Sequence, residues 1–145
     1  MNKLLIGFIA LLLMGCTSLA KEPVYNDEGV AVNGYDVVAY FTQDKAVKGS
    51  SDFASSYNGN QWYFASAQHK ALFDKTPEKY APQYGGYCAY AMSSGFVVST
   101  DPEAFTVFQD KLYLNYSLSV RENWLKNKVQ FIEEADGHWQ EKLSK

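Results

Sequence analysis

The chain has 145 residues, a net charge of −3, 20% charged side chains and 16% aromatics, with eleven Tyr, nine Phe and three Trp. That length suits one domain with its own core. The apolar content excludes a disordered chain, and the absence of any basic patch excludes electrostatic capture of nucleic acid.

The N-terminus reads as an export signal. MNKLLIGFIALLLMGC opens with Lys3, runs apolar from Leu4 to Met14 and ends in small residues. Eleven apolar residues are too few for a mature membrane span, which needs about 20. Leu13-Met14-Gly15-Cys16 resembles a bacterial lipobox, in which Cys16 takes a thioether-linked lipid and becomes the mature N-terminus. The alternative is cleavage after Ala20, at Ser18-Leu19-Ala20, which releases a soluble periplasmic protein. The expected organisation is a signal over 1–15, a tether over 16–23 and one domain over 24–145. Either cut removes only Lys3 among charged residues, moving the charge from −3 to −4. Either also leaves Cys88 as the only free thiol, so no intramolecular disulfide can form.

Within the domain, VAVNGYDVVAYF (30–41) mixes β-branched and aromatic residues around the Asn33-Gly34 turn signal. DFASSYNGNQWYFAS (52–66) is the clearest hairpin, since Asn58-Gly59 supplies the positive φ angles of a tight turn. SAQHKALFDKTPEKY (66–80) turns helical, with Pro77 ending or restarting the helix and Thr76 as an N-cap before it. After Gly85-Gly86, YCAYAM fits either strand or short helix. GFVVST (95–100) reads as strand, and AFTVF with KLYLNY reads as a second hairpin across Gln109-Asp110. The remainder reads as one long helix opened by a Ser119–Glu122 capping box, its last turn weakened by Gly137. The expected class is α+β: two β-hairpins packed with short helices and a long C-terminal helix.

NGYDVVAYF, then KAVKGSSDFASSYNGNQWYFASAQHKALFDKTPEKYAPQYGGYCAYAMSSG, then DKLYLNYS closely resemble the small exported YHS-domain proteins of bacteria. The resemblance covers about residues 24–143, with Val37 where the family's usual opening has proline. It implies metal handling, because such domains accompany copper- and heavy-metal-transporting ATPases and some oxygenases. Their middle hairpin carries a Tyr-Phe-Cys-Ser-x-x-Cys pattern whose thiolates suit a soft metal. Here Ala65 stands at the first of those cysteines and His69 at the second, so the two-thiolate site is missing.

Each candidate residue carries two readings. Cys88, His69 and Met92 offer thiolate, imidazole and thioether donors that suit copper(I). Cys88 also reads as a redox thiol, or as a small apolar residue beside aromatic rings. His69 and His138 otherwise read as surface side chains. Asp36 is a ligand carboxylate or a turn-stabilising residue. Tyr84, Gly85, Gly86 and Tyr87 form a ligand-contacting loop or a turn, and the tyrosines from Tyr80 to Tyr90 stack on a flat ligand or pack the core. With no phosphate loop, catalytic-triad signature or HExxH pattern, the reading leans against an enzyme. It favours an envelope binding protein that takes a transition-metal ion such as copper for storage, sensing or delivery. A non-catalytic interaction module with an envelope protein partner is the rival.

Overall fold

A computed structural model describes residues 22–145; the expected signal, both expected cleavage positions and Cys16 lie outside those residues. The larger sheet has four strands: β1 (Asn26–Asp27), β2 (Val30–Ala31), β3 (Ser50–Tyr57) and β4 (Asn60–Phe64). They lie in the order β1-β2-β4-β3, antiparallel throughout except for a parallel contact between β2 and β4 at Val30 and Gln61. The β3–β4 hairpin turns at Asn58 (φ 48°) and Gly59 (φ 76°), so the Asn-Gly expectation holds.

Helix α1 (Val37–Thr42) lies where the sequence reads as extended chain about a turn. The decisive residue is Asp36, whose carboxylate accepts the N–H groups of Val38 (2.9 Å) and Ala39 (3.2 Å). Capping the first turn outweighs the modest strand preference of two valines, because those N–H groups would otherwise be buried without partners. Ser66 caps α2 (Ala67–Lys75) by accepting from His69 N–H. Pro77 then restarts the chain as α3 (Pro77–Tyr80), although Thr76 makes no side-chain cap.

A 3-10 turn over Gln83–Gly86 leads into α4 (Ala89–Met92), so the YCAYAM segment is helical. Residues 95–100 are not strand. Their backbone keeps the bond from Cys88 N–H to Val98 O, and pairing starts only in β5 (Asp101–Phe108), which meets β6 (Lys111–Asn115) as a two-stranded sheet.

The long C-terminal helix is two helices, α5 (Leu118–Leu125) and α6 (Lys128–Leu143). At the break, Lys126 and Asn127 N–H groups reach the carbonyls of Asn123 and Trp124, three residues back. This tightened turn ends α5 and frees α6 to change direction. The cap is Ser117, which accepts Val120 N–H, and not Ser119. Gly137 lies inside α6, which continues to Leu143.

The core has two halves. One gathers Trp62, Phe64 and Phe73 with Val37, Val38, Tyr40, Leu112 and Leu114. Phe73 sits at its centre, 4.9 Å from Phe64 and 5.3 Å from Trp62 between ring centroids. The other packs Tyr84, Tyr87, Met92, Tyr113, Trp124 and Ala135. Aromatic pairs at these separations add about 0.5–1.5 kcal/mol each beyond buried area.

Three buried tyrosines predict alkaline sensitivity. Burial, ahead of the Asp136 charge, pushes Tyr113 up to about 12. Burial likewise raises Tyr40, reinforced by Glu103, and raises Tyr84, reinforced by its hydrogen bond to Asp136. A phenol titrating higher in the folded chain keeps its full stabilising effect below about pH 10 and loses it as pH climbs through the folded value. The urea midpoint is therefore expected to hold level to about pH 10 and fall from there toward pH 12, with phenolate absorbance rising in step with unfolding. A midpoint unchanged at pH 12 would contradict this.

Candidate functional site

Positions 65 and 69, where the resemblance places two cysteines, converge on one carboxylate. Asp36 Oδ2 accepts Ala65 N–H at 2.9 Å and faces His69 Nδ1 at 2.6 Å. With Val38 and Ala39 on Oδ1, Asp36 has four donors and no solvent exposure. It thus caps the first turn of α1 and also anchors β4 and α2 to α1. His69 is not a surface side chain: it is buried, with only 11% of the side chain reached by solvent. The spacing of 33 residues hides this pair in the sequence.

The hydrogen-bond roles follow from the inventory of each group. An ionised carboxylate only accepts, so His69 Nδ1 carries a proton and donates to Asp36. Nε2 is the remaining nitrogen, and it faces Thr42 Oγ1 at 3.3 Å. That hydroxyl also lies 3.2 Å from Val38 O, to which it can donate. Two arrangements therefore satisfy the site. Either Nε2–H donates to Thr42 while Thr42 donates to Val38 O, or Thr42 turns its proton toward an unprotonated Nε2. Thr42, an exposed residue, was not singled out in the sequence, and no local pattern marks it.

A carboxylate holding one imidazole nitrogen while the other faces outward is the arrangement that orients metal-binding histidines. It also positions histidines that act as bases. Here the partner hydroxyl is at the end of α1, away from any cleft described below.

Cys88, Met92 and Asn115 make a second constellation in the other half of the core. Cys88 is the N-cap residue of α4 and 1% exposed, and Met92 is fully buried one turn later. The Cys88 S–H points at Asn115 Oδ1 at 3.5 Å, an oxygen that also accepts Tyr90 N–H at 3.0 Å. The Tyr90 donor fixes the amide orientation, leaving Asn115 Nδ2 buried without a partner, as is Trp124 Nε1. Asn115 was missed in the sequence, though a lone amide inside the apolar strand LYLNY is a signal of a buried polar contact. Cys88 and His69 thus have different polar partners. Among the described residues, no three His, Cys, Asp or Glu side chains stand together as a metal cage.

The glycine loop is a turn that docks the chain's N-terminal segment. Gly85 O accepts Tyr25 N–H at 2.8 Å, Gly86 O accepts the Thr100 hydroxyl at 2.7 Å, and Tyr87 O–H donates to Glu22 O at 2.8 Å. Tyr84 itself adopts a positive φ of 57°, and its O–H donates to Asp136 at 2.8 Å. The tyrosines pack the protein interior: Tyr80 against Phe41, Tyr84 against Tyr113 and Trp139, and Tyr87 against Tyr25 and Trp139. Tyr90 stacks on Phe131 and remains partly exposed. His138 lies against Gly95, half-buried.

These features define an α+β domain whose helices α1 and α2 are clamped to a small sheet by a buried carboxylate–imidazole pair. Residues 38–84 match the family model of the YHS domain. The match contains Thr42, Ala65, His69 and Tyr84, begins two residues after Asp36, and ends before Gly85, Gly86, Tyr87, Cys88 and Met92. No curated protein and no solved structure matches the chain. No helix among the described residues is long and apolar enough to cross a membrane.

Proposed function

We propose that this is a cell-envelope YHS-domain binding protein, lipid-anchored through Cys16 and facing the periplasm, which takes a transition-metal ion such as copper as cargo. The observation that carries the metal reading is the Asp36–His69 pair, which fixes Nδ1 and leaves Nε2 against the hydroxyl of the exposed residue Thr42, a contact that an incoming ion would displace. A single fixed nitrogen suits delivery better than storage, because the other donors must come from whatever gives or receives the ion. Copper(I) tolerates such low coordination, and the YHS match covers His69. Cys88 and Met92 are a softer pair, but reaching them requires opening the core around α4.

Titration of the full chain with copper(I) against a competing chelator tests this. The wild type is expected to take up about one ion. His69→Gln should weaken uptake at least tenfold while Cys88→Ser leaves it unchanged, with circular dichroism confirming that both variants fold. Equal uptake by His69→Gln and wild type would overturn the assignment; loss in Cys88→Ser alone would move the donor to the buried thiol.

A second reading, a non-catalytic interaction module, draws on a cleft of about 300 Å³ between the β3–β4 turn and the end of α6. Tyr57, Trp62, Tyr84 and Trp139 line it together with Pro23 and Pro82, an aromatic surface suited to an apolar segment of an envelope protein. Co-purification with such a partner by the His69→Gln variant, without copper uptake, would favour it.

A further inference from the structure

We infer that the end of the domain formed by α4, the following loop and the start of α5 is a face that rests on the phospholipid bilayer. The inference rests on the Cys16 anchor proposed above and adds the orientation of the domain.

Four large apolar side chains there are open to solvent: Phe96 (67%), Leu118 (57%), Tyr116 (56%) and Tyr90 (38%). They sit on segments that hydrogen bonds hold together. Tyr90 N–H bonds Asn115, the residue before Tyr116, and Phe96 N–H bonds Ala91 O. Tyrosine suits the membrane–water boundary, where its ring is buried and its hydroxyl stays wet, and Phe and Leu suit the apolar face that enters below it.

The charge pattern points the same way. On a chain of net −3, the stretches Tyr90–Thr100 and Leu112–Val120 contain no Asp, Glu, Lys or Arg. An anionic bilayer would repel most of this acidic surface but not this end of it.

Tether length supplies the third argument. From Cys16 to Glu22 is six residues, at most about 20 Å of extended chain, whereas a domain of this size is roughly 35 Å across. A lipidated Cys16 therefore keeps one face of the domain against the membrane. The attachment lies toward this end of the domain: Glu22 O accepts the Tyr87 hydroxyl, the Tyr87 ring packs against Trp139, and the neighbouring His138 lies against Gly95, the residue before Phe96.

The test uses the full, lipidated chain on vesicles of phosphatidylethanolamine and phosphatidylglycerol. Flotation comes first: a chain that does not float sinks the anchor reading and this one with it. For a floating chain, Phe96→Trp is compared with Val129→Trp. The control lies beside Lys128, which stands over Phe108 at the opposite end of the β5–β6 hairpin. Brominated lipids are expected to quench the Phe96→Trp signal at least twofold more than the control, with a blue-shifted emission. Equal quenching at the two sites would overturn the bilayer face while leaving the anchor standing. A blue shift that grows with protein concentration and is not quenched would overturn it too, assigning the patch to a second copy of the chain.

Discussion

Asp36→Ala is expected to cost at least about 3 kcal/mol of folding stability, because each buried donor left without an acceptor costs about 1–3 kcal/mol. The carboxylate is fully enclosed and receives four donors from three parts of the chain: Val38 and Ala39 in α1, Ala65 after β4, and His69 in α2. Alanine leaves all four without an acceptor and removes the cap of α1. Asp36→Asn should cost less, because its amide oxygen still serves the helix cap, while its NH₂ meets donors at Ala65 and His69. His69→Ala should also cost less than Asp36→Ala, because three backbone donors still hold the carboxylate. The two alanine substitutions together should fall short of their sum, as expected for groups sharing one network. Urea midpoints of the four variants measure the series. An Asp36→Ala variant within 1 kcal/mol of wild type would mean that the carboxylate does not hold these elements together.

The readable parts of this fold were those set by neighbours in sequence. Asn58-Gly59 specifies its own turn, because few other dipeptides accept two positive φ angles in a row. Pro77 likewise marks the restart at α3 from its missing N–H. The second hairpin was recognisable from its apolar strands, although its turn is built on Gln109 and Asp110, both at positive φ without a glycine. Where two local signals competed, the winner was decided by tertiary position. Ser117 and Ser119 are both competent caps, and the chain uses Ser117, two residues after the end of β6. Val37 and Val38 are good strand residues, yet the Asp36 side chain turns them into a helix.

The site was legible as a set of residue types but not as an arrangement. His69 was visible as the residue standing at a family cysteine position. Its pairing with Asp36 was not, because nothing in a linear pattern links residues 33 apart. The reading of Cys88 as a space-filling residue among aromatic rings agrees with its burial, and its contact with Asn115 adds a polar partner that spacing could not predict. Gly85 and Gly86 were visible as a loop signal, but their use was not. Gly85 makes room for Pro23 and Val24, while Gly86 stands against the side chains of Pro82 and Val32. A sequence announces that backbone must come close at such a glycine without saying whose backbone it is.

That close approach makes Gly85→Ala the other large effect. A Cβ built on Gly85 would stand 1.9 Å from Pro23 O and 2.9 Å from the carbonyl carbon, both backbone atoms that cannot rotate away. The residue also has φ +63°, where a side chain adds about 1–2 kcal/mol of strain. Overpacking of this kind adds about 1–3 kcal/mol, so a total of about 2–5 kcal/mol is expected. The chain has one way to relieve the clash, which is to lift residues 22–25 off the loop. That loses the Tyr25 N–H bond to Gly85 O and the Tyr87 O–H bond to Glu22 O, and uncovers Val24 from the core. Hydrogen exchange then separates the outcomes. Local lifting speeds exchange at Tyr25 and Val32, whose N–H groups bond Gly85 O and Tyr25 O, while the β3–β4 amides stay protected. On the membrane orientation we propose, lifting would also lengthen the effective tether, so Gly85→Ala should reduce lipid quenching at Phe96→Trp without reducing flotation. Unchanged exchange at Tyr25 together with a wild-type urea midpoint would show that the N-terminal segment does not lie against this loop.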